Sequence, residues 1–360
     1  MNARRAFRRQ WRKFTLTPTP PLVAGIAGLI GMAVFLQFAP KAAAGGWLIA
    51  FLFWSGILLG GLLALLIHML TGGRWGVRFA PEFLTAAAAI PLMALFAVPV
   101  LSTLPTLYPW VFGHGSVPAD VAAWYLNPPF FIGRTALAFC GWTLLVFLLP
   151  RLTGAAATVA AGVGLIFYGV MICVLGTDWV LSLEPNFVST SFGATLAFTQ
   201  LASALAWTAI VARDDGDPAF ADLGGLLLAT LLGIVYMNFM AVLVIWYGDV
   251  PEHVAWFVVR THGPWPLMAW LALICGSAVP ILALFLGRWR RSPRPLRSIA
   301  GIALCGIALY DCYLVAPAFG GPALGAALLA LVTIGALFLA FMAMPWARAP
   351  LRQWSAIHGR

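Results

Sequence analysis

Apolar segments of about 20 residues, long enough to cross a ~30 Å hydrocarbon core as helices, recur ten times along this chain of 360 residues. They cover about 21–39, 46–70, 82–104, 129–150, 155–181, 191–212, 221–246, 264–287, 297–317 and 321–344. Lipid offers no partner to an open backbone group, so such a chain must form helices or a closed barrel. The runs lack the alternation of barrel strands, and 62% of residues are hydrophobic against 9% charged, where a globular domain carries about 25% charged. The expected fold is an all-α integral membrane protein, with a basic tail at 1–20, one ten-helix domain at 21–344 and a second tail at 345–360.

The net charge of +10 reads as topology and not as a nucleic-acid surface. With the N-terminus inside, the inner Lys and Arg are Arg4, Arg5, Arg8, Arg9, Arg12, Lys13, Arg74, Arg78, Arg151, Arg213, Arg288, Arg290, Arg291, Arg294, Arg297, Arg348, Arg352 and Arg360. Only Lys41, Arg134 and Arg260 of the 21 basic residues fall outside, so the positive-inside rule places both termini in the cytoplasm. A competing reading takes RRAF, the first apolar run and KAAAGG as a twin-arginine signal with a cleavage site. Its run is long for a signal, and cleavage would leave nine helices and the other assignments unchanged.

Cys140, Cys173, Cys275, Cys305 and Cys312 lie within helical runs without CxxC or CxxCH spacing, which gives no basis for covalent haem or an iron–sulfur cluster. They are expected to be small buried hydrophobes. His68, His114, His253, His262 and His358 offer no pair at matching depth for a haem b. His68, in IHMLTGGRWG, marks the approach to a tight turn through Gly72 and Gly73. No metal site is expected, and no Walker loop, GxGxxG, HExxH or GxSxG stands in a workable context.

Two longer outer loops resemble each other. VPADVAAWY (117–125) and VPEHVAWF (250–257) each suggest a short helix in the interface, with proline in its first turn and aromatics at headgroup level. From Val117 to Val250 is 133 residues, and the same offset carries Asp178, in GTDWVLSLEP, onto Asp311, in LYDCYLVAP. The two landmarks suggest a duplicated unit of four helices, about 46–185 and 191–318. Two four-helix bundles (helices 2 to 5 and 6 to 9) with helices 1 and 10 outside them follow.

An acid at bilayer depth is costly and faces a protein interior or water. Asp178 and Asp311 are therefore candidate proton acceptors near the outer face, or structural acids hydrogen-bonded to a neighbouring helix end. Glu184, stopped from helical continuation by Pro185, is a candidate exit for a short proton path from Asp178, or a solvated loop acid. His262 can accept a proton beside these acids or be an ordinary loop histidine. The aromatics, Trp179 and Tyr313 among them, read mainly as an interfacial belt, in a setting that also suits a quinone headgroup.

TDWVLSLEP followed by ST and G, the LTGGRWG turn, the long loop ending WYLNPPFF, and IWYGDVPE before WF and RTHG occur in this order. This set resembles the ActF family of membrane subunits of Alternative Complex III, the bacterial quinol:cytochrome c oxidoreductase, over about residues 46–317. That family belongs to the wider polysulfide-reductase, NrfD-like membrane class. The resemblance implies two four-helix bundles in the bacterial inner membrane and quinone chemistry near the outer face. It implies an iron–sulfur protein, a c-type cytochrome and a paralogous membrane subunit as partners, and no metal bound by this chain. Asp178 and Glu184 match the motif acids, and His262 matches the histidine of RxHG. The chain departs at Asn186, Phe187 and Val188, where the family form has His-Trp-Phe, and at Met69, where a second histidine is expected.

Three functions are compatible with the sequence. The first is a respiratory subunit that binds quinol, with His262, Trp179 and Tyr313 supporting the site while Asp178 and Glu184 receive protons. The second is a structural or proton-conducting subunit of the same kind of complex. The third is a secondary transporter, which the expected lack of any broken helix argues against.

Overall fold

The computed structural model describes residues 18–113, 117–185, 187, 189–344 and 349–358, with backbone alone at 252, 253, 352 and 355–358. The basic stretch 4–13, His114, Asn186, Val188, Arg348 and Arg360 lie outside the described residues, as do the side chains of His253, Arg352 and His358. Among the described residues there is no strand, and ten helices are long and apolar enough to cross a membrane. They are α1 (Thr19–Phe38), α2 (Pro40–Thr71), α3 (Arg74–Ser102), α4 (Pro128–Leu148), α5 (Gly154–Trp179), α6 (Phe192–Val211), α7 (Ala219–Gly248), α8 (Trp265–Phe285), α9 (Pro293–Val315) and α10 (Pro322–Ala343). The chain is an all-α, multi-pass membrane protein.

Two helices begin earlier than their apolar runs. The starts expected near 46 and 82 move back to Pro40 and Arg74. A hydropathy run ends at a charge, whereas a helix continues through it when a long cationic side chain reaches the surface, as Lys41 and Arg74 do, or meets acids, as Arg78 does.

Two helices carry local irregularities without unwinding. α3 turns at Ala88 and Ala89 between its two segments, Arg74–Ala87 and Ile90–Ser102. Pro91 follows, and without an N–H it cannot bond to the carbonyl four residues back. In α8, Ile274–Ala278 form a π-turn just before Pro280, the wider turn making room where a proline would strike the preceding carbonyl. Ala88 N–H to Leu84 O at 2.9 Å and Met93 N–H to Ala89 O at 3.0 Å flank the α3 turn, and Ala89 N–H to Ala86 O at 3.0 Å enters it. Neither helix unwinds.

At the centre lie α2 and α6. α2 packs against α3, α5, α6, α9 and α10, while α6 packs against α2, α5, α7 and α9. Small residues let these backbones approach: a Cβ on Gly60 would stand 1.8 Å from the Gln200 carbonyl oxygen. Gln200 is buried, and its Oε1 accepts from the Tyr168 hydroxyl at 2.6 Å, linking α5 to α6. α3 packs on α4 and α4 on α5, and likewise α7 on α8 and α8 on α9. α1 lies mainly along α10, which also receives the Trp54 indole N–H at Leu331 O, 2.9 Å.

The connections gather at two ends. At the basic face, Gly72 (φ +71°) and Gly73 (φ +106°) make the turn after α2, and His68 Nδ1 lies 3.1 Å from Gly72 O. Arg78 there reaches Asp215 at 2.8 Å and Glu82 at 3.4 Å, and Arg297 donates to Ala212 O at 2.6 Å. The opposite, long-loop face carries short helices at Ala119–Trp124 and Pro251–Val259, where the repeated Val-Pro motifs placed them.

The cysteines depart from expectation. Only Cys312 is buried; Cys140, Cys173 and Cys305 are exposed and Cys275 is partly so. On the outer wall of a membrane bundle an apolar thiol can face lipid as readily as core, so an apolar run does not report burial.

Candidate functional site

Asp178 ends α5 at the long-loop face and is fully buried, at 0% exposure. Its partner is Arg134, in the second turn of α4. The start of α4 is fixed locally: Asn127 caps it by accepting from Phe130 N–H at 3.0 Å, and Pro128 and Pro129 follow in its first turn. Arg134 donates from Nε to Asp178 Oδ2 at 2.7 Å and from Nη2 to Oδ1 at 2.9 Å. The same guanidinium donates to Tyr125 O at 3.0 Å and lies 4.1 Å from the Tyr125 ring centre. Burial, with the Asp178 carboxylate nearby, pushes the Tyr125 phenol up to about 12. Burial likewise raises Tyr108, whose hydroxyl donates to Trp179 O at 3.0 Å.

Past α5 a single 3₁₀ turn, Leu181–Leu183, carries the chain to Glu184. Ser182 Oγ closes the step by donating to Asp178 O at 2.5 Å. Glu184 meets Arg260, at the end of the Pro251–Val259 helix, with Nη2 to Oε1 at 2.7 Å and Nη1 to Oε2 at 3.3 Å. Arg260 also donates to Trp256 O at 3.0 Å, Tyr313 O at 3.3 Å and Leu314 O at 3.0 Å. All five guanidinium N–H groups thus have acceptors, and the charge lies 3.6 Å from the Trp256 ring centre. The other face of the stack is Phe187, 4.2 Å from Trp256 between ring centres. One side chain therefore ties together the segment after α5, the loop after α7 and the end of α9.

The sequence leaves Asp178 open as a proton acceptor or a structural acid and Glu184 as a proton exit or a solvated loop acid; in the structure both are ion-paired. Each carboxylate is held two-pronged by a guanidinium, and Asp178 does not reach solvent. A crevice of about 380 Å³ runs beside them, lined by Val121, Leu126, Cys173, Thr177, Ser182 and Phe187 among others, but neither acid lines it. Arg134 and Arg260 were read only as outer charges. Their signal was present, since they are two of the three basic residues on the wrong side of the charge asymmetry.

Other candidates separate. Asp311, the repeat counterpart, is buried at 4% exposure and has no hydrogen bond or ion pair among the described residues. Arg260 passes it over for the carbonyls of Tyr313 and Leu314. Among the described residues Asp178 is therefore a paired acid and Asp311 an unpaired one. Trp179 is a core side chain at 1% exposure, packed on Phe51 at 5.0 Å with its indole N–H on Thr135 Oγ1 at 3.3 Å, which leaves it no face for a ligand. His262 is exposed, and its Nδ1 lies 3.0 Å from Thr261 Oγ1 and 3.2 Å from Val258 O, within its own loop and not on either acid. Tyr313 does join the site, edge-on to Trp256 at 5.8 Å.

Scanned against protein-family models and compared with curated proteins, the chain matched none.

Below the Arg260 latch, toward lipid, a groove of about 470 Å³ opens between α7, α8 and α9. Tyr313 stands at its upper end, and Tyr310 donates to Asn238 Oδ1 at 2.8 Å within it.

Proposed function

We propose that this chain is a membrane subunit of a respiratory quinol:electron-acceptor oxidoreductase of the Alternative Complex III type, with quinol binding or proton transfer near its long-loop face. One observation carries the reading. TDWVLSLEP, WYLNPPFF and RTHG lie far apart in sequence, and Asp178, Glu184 and Arg260 from them converge at one end of the protein with Arg134, which follows WYLNPPFF, and with Tyr313. Function-bearing motifs of one subunit family should meet in this way.

The neighbour relations of α2–α5 and α6–α9 support two four-helix bundles joined along α2 and α6. The clustering of Arg74, Arg78, Arg213, Arg290 and Arg297 at one end supports cytoplasmic termini, and hence a periplasmic long-loop face in a bacterial inner membrane. Partners on that face would be an iron–sulfur protein and a c-type cytochrome, with a paralogous membrane subunit alongside. A bound quinol would supply two electrons and two protons; this chain's part is to hold the ring at the membrane boundary.

A second reading, a structural or proton-conducting subunit without quinone turnover, is favoured by the arginine pairing, since Asp178 and Glu184 already have partners. Native purification in mild detergent tests both, with partners identified by mass spectrometry and quinone extracted from the same sample. Respiratory partners with bound quinone support the first reading, and the same partners without quinone support the second. Absence of respiratory partners overturns both.

A further inference from the structure

The groove between α7, α8 and α9 has a shape and polarity that nothing above explains. Its floor is made of small residues: Ala269, Ala272, Gly276 and Gly306 line it. The floor is also closed, because a Cβ on Gly306 would stand 1.9 Å from Gly276 N, so the two backbones are in contact. Gly276 lies in the π-turn of α8. Such turns recur at functional sites because they displace side chains from the regular helix. Phe239, Val242 and Leu273 form an exposed rim on the bilayer side.

Polar capacity remains unused inside. Tyr310 donates its hydroxyl proton to Asn238 Oδ1 at 2.8 Å, and Asn238 Nδ2 donates one proton to Ile234 O at 3.0 Å. A second Asn238 N–H and the lone pairs of the Tyr310 oxygen are left over, a donor and an acceptor side by side. In lipid, unused polar capacity is costly. An acyl chain would leave it unused, whereas a carbonyl or hydroxyl head would satisfy it.

We infer that this groove is a slot for a planar, lipid-soluble ring bearing a carbonyl or hydroxyl, lying on the Ala269, Ala272, Gly276 and Gly306 floor with Asn238 and Tyr310 as its polar contacts. Naming that ring a quinone rests on the respiratory reading; the slot itself rests on the geometry. The apolar tail leaves past Phe239 and Leu273 into the bilayer, and the head lies about one helical turn below Tyr313 and the Glu184–Arg260 latch. Quinol held there would lie against α7, α8 and α9, on Asn238 and Tyr310, and not beside Asp178.

The test is binding of decylubiquinone and of a short-chain menaquinone to the full chain in phospholipid nanodiscs, by equilibrium dialysis. Three variants are compared with the natural chain: Asn238→Leu, Tyr310→Phe and Ala272→Phe, the last filling the slot. Only variants that keep the melting temperature of the natural chain are compared, so loss of fold is not counted as loss of site. The expected result is about tenfold weaker binding in Asn238→Leu, which loses the N–H that meets the quinone carbonyl, and none in Ala272→Phe, while Tyr310→Phe, whose oxygen has only lone pairs to offer, weakens the dithionite-reduced quinol forms of the probes and not the quinones. If the natural chain binds and all folded variants bind equally well, the slot is overturned and the respiratory reading stands. Binding of neither probe by the natural chain removes the quinol-binding form of the respiratory reading and the quinone assignment with it. A phospholipid acyl chain as sole occupant of the groove overturns the slot.

Discussion

Arg260 grips Glu184 across 76 residues of sequence with Nη2 on Oε1 at 2.7 Å, while its remaining donors hold the carbonyls of Trp256, Tyr313 and Leu314. A lysine keeps the charge but cannot reproduce the planar fork. Arg260→Lys is expected to lose about 1–3 kcal/mol for each acceptor left unsatisfied. A lowered melting temperature in detergent and faster proteolysis within 249–263 are the readouts. Unchanged values for both would mean that the latch holds nothing.

Arg134 and Asp178 form the second pair, with side-chain exposures of 16% and 0%. Removing one partner of a buried pair leaves an uncompensated charge and costs about 3–5 kcal/mol, whereas replacing both by apolar side chains is often near neutral. Arg134→Leu is expected to be poorly stable, and the double variant Arg134→Leu with Asp178→Leu to recover most of the loss. Chemical denaturation of the two in lipid–detergent micelles decides it; equal losses in the single and double variants would contradict the pairing.

Two glycines should respond with opposite sign. A Cβ at Gly60 meets the Gln200 carbonyl of α6, whereas one at Gly162 on α5 meets nothing within 4 Å. Gly60→Ala should force α2 and α6 apart and lower the yield of monodisperse protein. Gly162→Ala should stabilise by about 0.5–1 kcal/mol, because the helix loses less backbone entropy on folding. Size-exclusion profiles and melting curves read both effects.

Sidedness is open to a direct measurement. In a background without native cysteines, Arg291→Cys on the basic face and Trp124→Cys on the long-loop face are both exposed positions. A membrane-impermeant maleimide added to intact cells should label Trp124→Cys alone, and inverted vesicles should show the reverse. Labelling of both from one side would contradict the ten-crossing arrangement.

Much of the fold was legible along the chain. Ten apolar runs are ten helices because lipid leaves an isolated segment no other way to satisfy its backbone, and that constraint acts locally. The Val-Pro motifs and the Gly72–Gly73 turn are local in the same sense. Helix starts at Pro40 and Arg74 were missed because hydropathy stops at a charge that a long side chain can carry outward. Cys140, Cys173 and Cys305 were misread because lipid and protein core are both apolar, so sequence does not tell one face from the other.

The candidate site divides along the same line. Sequence alone determined that Asp178, Glu184 and Asp311 are acids at the ends of apolar helices, and that Arg134 and Arg260 break the charge asymmetry. Which acid meets which arginine, why Asp311 meets none, and how Asn238 of α7 comes to face Tyr310 of α9 were decided only by tertiary structure. A pairing between charges 44 or 76 residues apart depends on how helices pack, and packing in lipid is set by close approaches at small residues, such as Gly60 against the Gln200 backbone and Gly276 against Gly306, which leave no periodic mark in the sequence.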